Sequence, residues 1–280
     1  MKFPKYWSVV RNTSGYVTAR GWSENSQAEA LERAEDRLKR ILYWLRDENP
    51  GKDLDRYQYV IDDNICEQVV DHVYSPDGRE IAVISRNVYG AIVLNSATVM
   101  FIDIDIEPTA YQPGFFARLF GAKAITVQQV FETRMNHLRT WQAQHSEFTF
   151  RVYRTAAGLR AVVANREFSE VDKNVIEMME QLNSDPLYRQ LCISQKCFRA
   201  RLSPKPWRIG LLPPTQRFPF EDPAAEDALN KWSVEYSAAS KEWSVCEFLE
   251  TIGQAEPVPV AMQLIELHDG LCCNPGKKLA

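Results

Sequence analysis

Apolar residues recur at two different periods along this chain, and each change of period marks a change of element. "YWSVVRNTSGYVTARGW" reads as two short strands around an Asn-Thr-Ser-Gly turn. Leu31, Ala34, Leu38, Ile41, Leu42 and Leu45 then return at helical intervals. Ser26 and Glu29 have capping-box spacing ahead of them, and Pro50 with Gly51 ends the run. The charged residues of this helix read as its solvated face. "GKDLDRYQYVIDDNICEQVVDHVY" is expected to hold a loop and a short helix. "EIAVISR", "YGAIVLN" and "TVMFIDIDI" alternate or run apolar as strands. "ITVQQVFETRMNHLRTWQAQHS" is a second helix, with Val130, Leu138 and Trp141 on one stripe and Phe131 and Met135 beside it. "FTFRVYRT" and "GLRAVVAN" form a hairpin around Ala156-Ala157-Gly158. "VDKNVIEMMEQLNSDPLYRQLC" is helical with a break near Pro186, and "CFRARLS" is a further strand. The remainder, from about Pro223, reads as mostly helical with a break at Pro257 and Pro259.

Strands and helices mixed in this order argue for an α+β fold, a mixed or antiparallel sheet with flanking helices and a helical C-terminal cap. We expect one globular unit over 1–280. Its sub-regions are a strand-helix module at 1–78, the sheet core at 79–212 and the helical cap at 213–280, with the weakest joints near 75–79 and 213–223. At 280 residues and 45% apolar content the chain is long enough for a large core. Its net charge of −4 gives bulk charge no pull toward nucleic acid, so any such contact has to be local. No window approaches 18 uninterrupted apolar residues, and no signal peptide is visible, so no membrane association is expected. Six scattered cysteines, Cys66, Cys192, Cys197, Cys246, Cys272 and Cys273, do not form a disulfide framework in a chain of this size. These features point to a cytoplasmic protein.

"VMFIDIDIEP" is the most informative stretch. In a strand, residues two apart share a face, so Asp103 and Asp105 project together while Ile102, Ile104 and Ile106 point the other way. Four apolar residues precede the acids, which puts them at the C-terminal end of a core strand, where open sheets often present sites. Two neighbouring carboxylates repel, and a hard divalent cation such as Mg²⁺ or Mn²⁺ relieves that repulsion. Two solvated acids at a strand end are the plainer alternative. Some fifty residues on, "VYRTAAGLRAVV" places Thr155 and Gly158 around a tight turn and restarts a strand with Arg160. Small residues there let a ligand approach backbone and hydroxyl groups, and Arg160 offers a bidentate grip on phosphate. Taken alone, a plain hairpin with a surface arginine is the better fit.

Taken together, "FIDIDIEP", the helix near 126–144 and "YRTAAGLRAVV" resemble the archaeo-eukaryotic primase superfamily, most of all its bacterial primase-polymerase domains. The resemblance covers about a quarter of the chain. It implies an RRM-like sheet core, divalent metal at Asp103 and Asp105, and contact between the hairpin and a nucleotide triphosphate. Arg160 stands where that family has a histidine. The family also has a third acid on a later strand, and Asp172, Asp185 and Asp222 are the candidates, none with a pattern. Haloacid-dehalogenase phosphatases and sugar-nucleotide glycosyltransferases also use Asp-x-Asp, without further support here.

"CFRARLSPKPWRIG" is the densest basic stretch. Arg199 and Arg201 share a strand face, Lys205 and Arg208 flank a Pro-x-Pro turn, and Trp207 offers a stacking surface. Such residues suit a phosphate chain or a base. Structural arginines paired with acids are the alternative. Cys192, Cys197, His268, Cys272 and Cys273 fit no standard zinc spacing. The reading that results is a metal-dependent nucleotidyl- or phosphoryl-transfer protein acting on nucleotides or nucleic acid. Its rival is a non-catalytic nucleotide- or nucleic-acid-binding protein on a degenerate primase-like fold.

Overall fold

Strands β1 (Tyr6–Arg11) and β2 (Thr18–Ser23) pair antiparallel around a turn that Gly15 enters at φ 76°. The computed structural model describes residues 1–46, 64–106 and 125–280. Helix α1 (Gln27–Arg46) begins where the Ser26 hydroxyl accepts the Glu29 N–H at 3.1 Å. Its inward face differs from the leucine stripe expected. Ala30 and Ala34 are fully buried, while Leu31 and Leu45 are 43% and 55% exposed. The reason is a close approach: a Cβ on Gly21 would lie 2.1 Å from the Ala30 carbonyl oxygen, so only small residues fit this seam. Pro50 and Gly51 lie outside the described residues.

Two four-stranded antiparallel sheets carry the rest. The first has the order β3 (Gln68–Tyr74), β4 (Glu80–Arg86), β5 (Ile92–Ser96) and β9 (Phe198–Arg201). The second has the order β11 (Cys246–Ile252), β7 (Phe150–Thr155), β8 (Gly158–Val163) and β6 (Phe101–Asp105). β3 occupies the last part of the stretch expected to hold a loop and a short helix, and residues 51–63 of that stretch lie outside the described residues. The valines of β3 favour strand, and the turn at Ser75–Gly78 folds it onto β4. The expected joint at 75–79 is therefore the turn of a hairpin.

The other helices among the described residues are α2 (Val127–Gln144), α3 (Lys173–Gln181), α4 (Pro186–Gln195), α5 (Pro223–Ser240) and α6 (Pro259–Cys272), with a 3-10 turn at Pro206–Ile209. Thr126 caps α2 with a full capping box, and Val130, Phe131, Met135, Leu138 and Trp141 are all buried as their spacing requires. The stretch after Pro223 is not a helical cap alone. It adds β10 (Trp243–Ser244), β11 and β12 (Lys278–Leu279), and β11 completes the second sheet along β7. One apolar cluster runs through both sheets, including Leu94, Phe101, Phe150, Leu138 and Leu264. The architecture is α+β. No described helix is long and apolar enough to cross a membrane.

β6 positions the acids. Its inner edge pairs with β8, and its outer carbonyls would be left bare without the start of α4. There the Tyr188 hydroxyl donates to the Phe101 carbonyl at 2.7 Å, and the Asp185 N–H donates to the Asp103 carbonyl at 2.8 Å. The Tyr188 hydroxyl also accepts the Arg199 N–H at 3.2 Å, which ties β6 to β9 of the other sheet.

Candidate functional site

Asp103 sits directly opposite Arg160 across the β6–β8 ladder. The register makes them partners. Arg160 donates from Nε to Asp103 Oδ1 at 2.8 Å and from Nη2 to Oδ2 at 3.2 Å. Its Nη1 donates to the Arg201 carbonyl at 2.9 Å and lies 3.3 Å from His268 Nε2. Burial works against the guanidinium's charge, but the Asp103 carboxylate outweighs it and holds Arg160 protonated beyond its ordinary value. At 1% exposure Arg160 cannot reach a phosphate in solvent, which corrects its expected role.

Asp105 ends β6 on the same face. Its side chain reaches solvent, yet enough protein surrounds it to strip part of its hydration. That loss first, then the charges of Asp103 and Asp185, raises its proton affinity, while Lys205 and Arg208 pull it down. The charges of two other carboxylates therefore bear on Asp105. Asp172, Asp185 and Asp222 all cap helices, accepting the N–H groups of Val175, Tyr188 and Ala225. Of the three, Asp185 is the one that bears on Asp105. The Asp-Pro pair at 185–186 reads as a helix start, but its place beside β6 depends on how α4 docks, which no local pattern encodes.

Lys205 and Arg208 face these acids from the turn after β9. Partial burial, then the charge of Arg201, lowers the proton affinity of both, and Arg208 adds to the effect on Lys205. The Lys205 ammonium lies 5.6 Å from the Trp207 ring centroid, and Trp207 packs edge-on against Tyr89. Nη1 of Arg208 is buried without a partner among the described residues. Arg201 bonds the Ser203 carbonyl from Nη1 at 3.3 Å.

The other expected phosphate ligands are accounted for differently. Arg199 is buried, with Nη2 on Glu67 and Nη1 on Gln195 at 2.5 and 2.6 Å. It neutralises a buried acid instead of a ligand. Gly158 is small because a Cβ would lie 2.1 Å from the Ile104 carbonyl oxygen, so its need is strand contact. The Thr155 hydroxyl accepts the Ala157 N–H at 3.3 Å and shapes the hairpin turn.

A second charged surface was not expected. Arg33, Arg37 and Arg40 share one stripe of α1 and, with Arg20, Gly21, Trp22 and Ile41, line a cleft of about 440 Å³. The Arg37 guanidinium lies 4.9 Å from the Trp22 ring centroid. Burial, then the nearby charge of Arg217, lowers the proton affinity of Arg20. The 33/37/40 spacing was visible in the sequence, but the acids interleaved on α1 mask it.

Fold and site together define an α+β protein with an acidic ledge, Asp103, Asp105 and Asp185, facing a cationic turn. No family model, no curated protein and no solved structure matches the chain.

Proposed function

We propose that this chain is a metal-dependent phosphoryl- or nucleotidyl-transfer protein acting on nucleotides or nucleic acid, similar in plan to primase-polymerases. The observation that supports the reading is at Asp105, which feels the charges of Asp103 and Asp185 on one side and of Lys205 and Arg208 on the other. Carboxylates are hard-oxygen donors, and a divalent cation would relieve the part of Asp105's raised proton affinity that burial leaves to the charges of Asp103 and Asp185. Asp105 and Asp185 would hold Mg²⁺ or Mn²⁺, with Asp103 alongside. Such an ion, when bound, polarises a phosphoryl oxygen and neutralises developing charge. Lys205 and Arg208 would bind the phosphate oxygens, and Trp207 would offer a face to a base. The arginine cleft at Trp22 would add a salt-sensitive contact to a nucleic-acid backbone.

One observation favours the rival, non-catalytic reading. Both oxygens of Asp103 already bond Arg160. The test therefore leaves Asp103 alone and uses Asp105→Asn with Asp185→Asn, because asparagine keeps the helix cap while removing the charge. Thermal shift with Mn²⁺ and nucleoside triphosphates should show metal-dependent stabilisation in the wild type and none in the double variant. Stabilisation by nucleotide without metal would favour the binding protein. No response to any divalent cation would sink the transfer reading.

A further inference from the structure

Behind the acidic ledge, three soft or borderline ligands from two distant stretches meet, and a fourth, Cys273, lies beside one of them. Cys246 begins β11; His268 and Cys272 sit one turn apart on α6, and Cys273 follows as its C-cap. Residues four apart on a helix share a face, so His268 and Cys272 both look toward β11. Cys246, His268 and Cys272 are wholly buried, and their ligand atoms all lie within 4.8 Å of one another. Cys246 Sγ is 3.7 Å from His268 Nε2 and 3.8 Å from Cys273 Sγ. Tetrahedral zinc, with bonds of about 2.3 Å to sulfur and about 2.0 Å to nitrogen, sets those edges near 3.5 Å and 3.8 Å.

We propose that Cys246, His268, Cys272 and Cys273 form a structural zinc site that clamps α6 onto the edge of the second sheet. It goes beyond the proposed transfer function: the ligands are thiolate and imidazole, and three of the four are wholly buried. The surroundings fit. A zinc-bound histidine usually gives its other ring N–H to a carboxylate, and here His268 Nδ1 lies 3.1 Å from Asp269 Oδ1. Asp269 is itself fixed by the Tyr153 hydroxyl at 2.6 Å and by Arg151 at 2.7 Å. The backbone is fixed too, with the Val245 N–H donating to the Cys272 carbonyl at 2.8 Å. Three thiolates, one imidazole and Zn²⁺ carry one net negative charge, and Arg160 is the adjacent cation. Arg160 Nη1 now shares the His268 Nε2 lone pair at 3.3 Å, and zinc would take it over. Arg160 would keep its bonds to Asp103 and to the Arg201 carbonyl.

Purified full-length chain should carry zinc in a one-to-one ratio by elemental analysis. Exchange with Co²⁺ should give the visible bands of a tetrahedral site and a thiolate-to-cobalt charge-transfer band. Both should vanish in Cys246→Ser and in His268→Asn, and survive in the control Cys66→Ser. The cobalt spectrum of the wild type needs no variant to fold. A wild type that binds neither metal, or a charge-transfer band that survives loss of Cys246 and His268, overturns the proposal. Because Asp105→Asn/Asp185→Asn leaves all four ligands in place, that variant should still bind cobalt, which separates this site from the proposed Mn²⁺ site.

Discussion

Arg160 shows how one residue's place in the ladder decides its job. From the sequence it is a cation after a tight turn, and a phosphate ligand is a fair expectation. Register puts it against Asp103 and burial leaves it with protein partners only. Arg160→Met leaves a carboxylate without its cation in a largely buried site, and should cost about 3–5 kcal/mol. Denaturant unfolding of Arg160→Met, Asp103→Asn and the double variant checks this. The two losses should be far from additive, since they remove the same interaction. Cys197 gives a pH prediction. Burial pushes its thiol up to about 11 from an ordinary 9.0. A group raised in the folded state contributes stability below its unfolded value and loses it as pH rises through the folded one. The wild type should therefore lose about 2–3 kcal/mol from this thiol between about pH 9 and 11. Cys197→Ala lacks that loss, so the stability gap between wild type and variant should narrow over this window under reducing conditions. A constant gap would refute it. The strand alternation of Asp103 and Asp105 was legible because it is a local rule. The clamp on Asp103 was not, because it depends on which strand lies alongside.

At the scale of elements, the sequence read best where an element packs by its own periodicity. The five apolar residues of α2 are buried as spaced. It read worst where two elements meet at close range. α1 turns Ala30 and Ala34 inward, and the reason lies on β2, in Gly21. Gly21→Ala must push the helix off the hairpin and should cost about 1–3 kcal/mol, with the loss of amide-exchange protection concentrated in α1 and β2. Protection unchanged in α1 would show that the seam tolerates a methyl. The seam between the two sheets rests on Tyr188, whose hydroxyl serves a carbonyl of β6 and an N–H of β9. Tyr188→Phe removes both bonds from a buried seam, a cost of about 1–3 kcal/mol in chemical denaturation. The Asp-Pro helix start at 185–186 was readable. That it would deliver both Asp185 and Tyr188 to the bare edge of β6 was not, since edge coverage is settled only when the sheet order is known.

For the whole molecule, the unexpected element is the return of the chain's end to the middle of the fold. Sequence order suggests a core finished near residue 212 with a helical cap to follow, and Glu247 and Glu250 blur the strand pattern of β11, whose CEFLETI run is half exposed. Yet β11 covers the edge of β7 from Cys246 to Ile252, and α6 buries Val260, Leu264 and Ile265 beneath it. Asp269 accepts bonds from Arg151 and Tyr153, a pair that bond each other and would otherwise lack a carboxylate partner. A chain ended at Glu242 loses all of this at once. Ile252, Val260, Leu264 and Ile265 alone contribute about 6–12 kcal/mol at about 1.5–3 kcal/mol each, as much as the whole stability of about 5–15 kcal/mol typical of a domain. The shortened chain should therefore show no cooperative thermal transition, bind a hydrophobic dye and aggregate through the uncovered edge of β7. A cooperative melt with native near-ultraviolet circular dichroism would mean that the fold is complete without its last three strands and α6. In that case the sequence-based division at 213–280 would describe the molecule better than its sheet order does.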